Sequence, residues 1–192
     1  RWNFAGRNQH LWDRKRMFSR VRFGDVEAQV DLTTKTGIAL RRGVPVTGEA
    51  GEKLVQKAYA AWINDSFWLN PLAKFFDDGV TRKLIKRPDG KSDLLISYSS
   101  GGLTPGDSYL WILDEAKRPV DLRMWVSIIP LKGIRASWED WIGLSTNAQI
   151  STRHTILVAT LKLTDVAGSA TLAELEPGAD PFAALLSKGA TR

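Results

Sequence analysis

Apolar and polar side chains alternate with a period of two through roughly the first forty residues, the pattern of strands buried on one face. Trp2 and Phe4 share a face ahead of a turn at Gly6-Arg7-Asn8, and His10-Leu11-Trp12-Asp13 leads into the next run. There Met17, Val21 and Phe23 point one way and Arg16, Arg20 and Arg22 the other. Gly24-Asp25 is a hairpin signal, and beyond it Val26, Ala28, Val30 and Leu32 alternate with Glu27, Gln29 and Asp31. Pairing across that hairpin sets Arg20 and Arg22 against Glu27, Gln29 and Asp31 on a solvated face. A further strand is expected over residues 36–42, ending at Gly43.

The period then changes. Leu54, Val55, Ala58, Tyr59, Trp62 and Ile63 recur at three- and four-residue spacing, which predicts an amphipathic helix over residues 49–64, broken by Asn64-Asp65-Ser66. Phe67-Trp68-Leu69, Leu72, Phe75 and Phe76 form an aromatic connection closed by Asp77-Asp78-Gly79. Period two returns after Gly79. It predicts strands over 80–87, 94–98, 109–113, 120–126, 133–141, 148–154 and 156–164, with loops at Pro88-Asp89-Gly90-Lys91 and at Gly101-Gly102 with Pro105-Gly106. Asp180-Pro181 marks a helix start in the tail, ahead of residues 182–186.

One helix cannot cover so many strands, and a wide sheet curls because its strands twist. The expected fold is therefore mainly β with an α insertion: a curved antiparallel half-barrel of about ten strands with a helical lid on its concave face. The half-barrel domain is expected over residues 1–165, with 166–192 as a C-terminal extension carrying a short helix. In this order of elements, three stretches look like the LolA/LolB-type lipoprotein carrier superfamily and its relatives of unassigned function. They are residues 16–32, Phe67-Trp68-Leu69-Asn70-Pro71 ahead of Asp77-Asp78-Gly79-Val80, and Tyr109-Leu110-Trp111-Ile112-Leu113-Asp114 followed by 120–125. The resemblance implies a non-enzymatic envelope protein in the periplasm or at the outer membrane of a Gram-negative-type bacterium. It would bind a lipid, an acyl chain or a lipoprotein in an apolar cavity. The competing expectation is a structural or interaction domain with a filled aromatic core and no ligand.

Composition narrows the chemistry. The 192 residues hold no cysteine, which excludes disulfides, thiol catalysis and Cys-type zinc sites. Eight Trp outnumber seven Phe and three Tyr, so a large aromatic-lined face is expected, either a cavity wall or a packed core. Arg1-Trp2-Asn3-Phe4 lacks an initiator Met and reads as mid-structure, which suggests a processed chain, its signal peptide removed. Twenty-seven basic against twenty-one acidic residues leave +6, a mild excess spread over strand faces. Nucleic acid is therefore not the expected partner, whereas anionic lipid headgroups suit the excess, and a monomer is expected.

No cofactor, metal or catalytic set is expected. His10 and His154 are the only histidines. His10 with Asp13 would suggest a dyad or a metal pair but reads better as packing. Asp77-Asp78 reads as a turn, and Glu139-Asp140 point to opposite faces of a strand. The expected cavity lining is Val26, Ala28 and Val30 on one side, Leu122, Met124 and Val126 on the other, and Trp62 with Trp68 from the lid. Small Ala28 leaves room for a chain, and flexible Met124 adapts to it.

Overall fold

The computed structural model describes residues 1–100, 106–127 and 131–189; the expected loop at Gly101-Gly102 and Pro105 lies outside them. Among the described residues are fourteen strands, every registered pair antiparallel, with one long helix and two short ones. The strand order has two ends, so the hydrogen-bonded path is open. Fourteen strands, against about ten expected, correct the count. This open path supports a mainly β fold but not the expected curved half-barrel of about ten strands with a helical lid. The chain clusters into two compact units, and residues 166–189 group with the first of them.

The first unit comprises Arg1–Ser66, Gly143–Gln149 and Leu163–Arg192. Its strands are β1 (Trp2–Phe4), β2 (Asn8–Asp13), β3 (Phe18–Phe23), β4 (Val26–Asp31), β5 (Thr36–Arg41) and β6 (Val44–Val46), each paired with the next. The two-residue hairpin at Gly24-Asp25 is as expected, with Phe23 opposite Val26 and Gly24 at φ 58°. The register places His10, Val21, Ala28 and Ala39 in one row across four strands, on the face that receives helix α1 (Gly48–Leu69). Helix α1 outruns the expected end at Asn64 by a turn and more, because Asp65 does not cap it but reaches the sheet.

The opposite face corrects a second expectation. Arg22 does pair with Glu27 across the hairpin at 2.7 Å. The face is not solvated, however: Arg20 and Gln29 are buried under the C-terminal segment. Arg20 donates to Glu176 at 3.1 Å, and Gln29 Nε2 donates to the Pro181 carbonyl at 2.9 Å. Phe182 and Leu185, at and inside α3 (Ala183–Gly189), pack on Leu11 and Phe18. Asp180 accepts from Arg16, which anchors the start of this segment.

The second unit comprises Phe67–Ile142 and Ile150–Lys162. A 3₁₀ turn (Pro71–Lys74) precedes β7 (Val80–Lys86), β8 (Ser92–Tyr98), β9 (Ser108–Leu113), β10 (Pro119–Trp125), β11 (Ile134–Ser137), β12 (Glu139–Gly143), β13 (Gln149–Ile156) and β14 (Ala159–Thr164); β12 and β13 reach just beyond this unit's bounds, and the end of β14 lies in the first. The strand expected over 133–141 is two, divided at Trp138, whose side chain is buried. The turn between β13 and β14 falls on Leu157 and Val158, with Leu157 at φ 54°. Two apolar residues in a tight turn carry none of the usual turn signals. The core is ring on ring. Trp138 lies 4.9 Å from Trp111, 5.4 Å from Trp68 and 4.0 Å from His154, centroid to centroid. Phe67 and Phe75 complete the cluster against Trp111.

Candidate ligand site

A cleft of about 660 Å³ opens in the first unit where β5, β6 and the start of α1 meet. Its origin is local. Strand β6 has three residues and pairs only with Ala39, Leu40 and Arg41, leaving the first half of β5 beyond its reach. The chain then turns into α1 at Gly48, whose φ of 63° suits glycine. Gly51 brings the helix close to β6, since a Cβ there would lie 2.2 Å from the Val46 carbonyl oxygen. On the sheet, small Ala39 stands where a larger side chain would fill the space, while Gly37 lies so close to the Gln29 carbonyl that a Cβ there would clash with it.

Ala39, Val46 and Val55 supply an apolar wall, with Ile38 and Pro45 also lining the cleft from the neighbouring strand positions; Lys35, Glu52 and Gln56 form a polar rim. Gln56 Nε2 donates to the Lys35 carbonyl at 3.0 Å, tying helix to strand, and the Lys35 ammonium lies 5.6 Å from the Tyr59 ring centroid. A volume of this size, with more wall than polar groups, is typical of sites for small apolar ligands.

The eight expected lining residues are all buried, but they divide between the units. Val26, Ala28, Val30 and Trp62 belong to the first, and Trp68, Leu122, Met124 and Val126 to the second. None of the eight lines the cleft. Ala28 comes nearest in register, directly opposite Ala39 across strands. Trp62 packs edge-on against Trp12 at 5.2 Å, and Trp68 stacks on Trp138. Of the lining residues, the helical period marks only Val55, as part of the apolar stripe; Lys35, Ala39, Val46 and Gln56 are not singled out by periodicity. The signals for them were the lone glycine in the fifth strand and the short Val44–Val46 span before the helix.

The two histidines meet different surroundings. His10 does not pair with Asp13, which instead accepts from Arg16 at 2.6 Å. His10 Nε2 donates to Asp65 Oδ2 at 2.7 Å, both side chains being sealed from solvent. Asn8 donates to the same oxygen at 2.7 Å and Asn64 to Oδ1 at 2.9 Å. Trp2 stacks on the imidazole at 4.4 Å. A carboxylate with three donors, closed off from water, fastens α1 to β2. His154 donates from Nδ1 to the Ser137 carbonyl at 3.1 Å. Burial among rings holds its pKa down at about 4, so it is neutral at physiological pH. No group of three or more His, Asp or Glu that could hold a metal occurs among the described residues.

Comparison with known proteins returns no matching family model, no matching curated protein and no matching solved structure.

Proposed function

We propose that the protein is a non-enzymatic envelope protein that holds a lipid or acyl chain in the cleft beneath the first turns of α1. The carrying observation is the cleft itself: about 660 Å³, an apolar wall, and Lys35 at its rim. The wall takes the hydrocarbon, and the ammonium pairs with a carboxylate or phosphate head. Covering about ten methylenes contributes roughly 8 kcal/mol gross, which ordering costs reduce to micromolar binding or weaker. Such affinity suits a carrier that must also release. A periplasmic or outer-membrane location is part of this proposal and rests on the sequence resemblance to LolA/LolB-type carriers alone.

Titration with a fluorescent fatty acid tests the reading. Wild type is expected to bind in the micromolar range. Val46→Trp, a half-buried position at the cleft wall, is expected to block binding while the protein keeps its circular dichroism. Equal binding by a folded variant would move the site elsewhere. No binding by wild type would favour a structural domain without ligand, the reading that the filled aromatic cluster of the second unit supports.

A further inference from the structure

The second unit carries a surface of a different kind, independent of the cleft. Strand β7 ends the strand order, and among the described residues no strand pairs its outer edge. Leu84 on this strand is 66% exposed, and Phe76, just before it, is 82% exposed. Phe76 is held out rather than loose. Its neighbour Phe75 is buried against Trp111, at 5.6 Å between centroids, so successive side chains point in opposite directions. Arg82 donates to the Phe75 carbonyl at 2.6 Å and sets its guanidinium 4.8 Å from the Phe76 ring. The register places Leu84 on the same face as Arg82.

Charge selects the partner. β7 holds three cations, Arg82, Lys83 and Lys86, and no acid; all three are exposed, and none forms an ion pair among the described residues. The nearest acids in the chain flank the strand, Asp77 and Asp78 before it and Asp89 after it, where Asp89 lies 3.7 Å from Arg87. A second copy of β7 would meet this edge lysine to lysine, the device that keeps exposed strands from pairing. Exposed Phe and Leu beside unneutralised cations match instead an anionic bilayer, whose headgroups take the charges while its interface takes the ring. We propose that β7 and the Phe76 turn form a docking surface for anionic phospholipid membranes.

Flotation with vesicles of phosphatidylglycerol and phosphatidylcholine, against phosphatidylcholine alone, tests this at low and high salt. Wild type is expected to float with the anionic vesicles only, and less so at high salt. Lys83→Glu/Lys86→Glu should lower the partition at least about tenfold, and Phe76→Ser/Leu84→Ser by a similar factor. All four positions are exposed, so the variants should keep the near-ultraviolet circular dichroism of wild type. Should the apolar pair fail to fold, the charge pair decides alone. Equal flotation with both vesicle types, no flotation, or flotation undiminished by charge reversal would each overturn the proposal. Binding of a single-stranded oligonucleotide without flotation would do so as well, and would mark a nucleic-acid surface. Fatty-acid binding in solution is read separately, so failure here leaves the cleft untouched.

Discussion

In the first unit the helix-facing side of the sheet carries Ala28, Gly37 and Ala39 under the start of α1, and polar groups knot the helix to the strands near its other end. In the second unit Trp68, Trp111, Trp138, Phe67 and Phe75 fill the interior against one another. One unit therefore has a cleft beside its core, and the other packs its rings against one another. A high tryptophan count does not by itself make a cavity. Small residues opposite a helix do, because nothing replaces the volume they omit. The histidines follow the same division: His10 is buried with a carboxylate, while His154 is buried neutral among rings.

The contrast can be broken at the filled core first. Trp138→Ala removes a ring that touches four others, and should cost about 4–5 kcal/mol in urea unfolding. A loss below about 2 kcal/mol would mean that the rings are not close-packed. Next comes the polar knot. Asp65→Ala strands His10, Asn8 and Asn64 without their acceptor and should cost about 3–4 kcal/mol. Hydrogen exchange should then rise along α1 and β2 before the second unit; uniform loss would contradict separate anchoring.

Acid sharpens the comparison. His154 takes up its proton at about 4 when folded and at an ordinary 6.5 when unfolded. Its contribution is therefore complete above pH 6.5 and disappears as pH falls towards 4, by up to about 3 kcal/mol. Urea midpoints at neutral pH and near pH 4 should differ less in His154→Gln than in wild type, and an identical difference would refute the assignment. The smallest expected effect is at the cleft. Gly51→Ala sets a methyl against the Val46 carbonyl and should lower stability by about 2 kcal/mol as α1 shifts off β6. A neutral result, read as an unchanged Tm, would show that the close approach is not required.

Much of the strand pattern was legible because period-two alternation reports a buried face directly. The hairpin at Gly24-Asp25 and the Arg22–Glu27 pair follow from nearest-neighbour register. What stayed hidden depends on distant partners. Asn64-Asp65-Ser66 reads as a helix end, yet Asp65 stays helical because His10, fifty-five residues away, supplies its hydrogen bond. Arg20 and Gln29 read as solvated until the tail, more than 150 residues further on, covers them. The cleft was hidden for another reason: it consists of side chains that are absent, and periodicity registers only those present. The apolar residues expected to line it are real core positions, and being core they are already in contact.

The most direct test of the cleft is a backbone amide spectrum of the uniformly labelled protein, recorded as a medium-chain fatty acid is added. The account predicts that shifts concentrate on residues 35–39 and 46–56, which border the cleft, while Ile96, Trp111 and Ala136 in the second unit stay where they were. Shifts centred on the second unit, or none at saturating ligand, would contradict it.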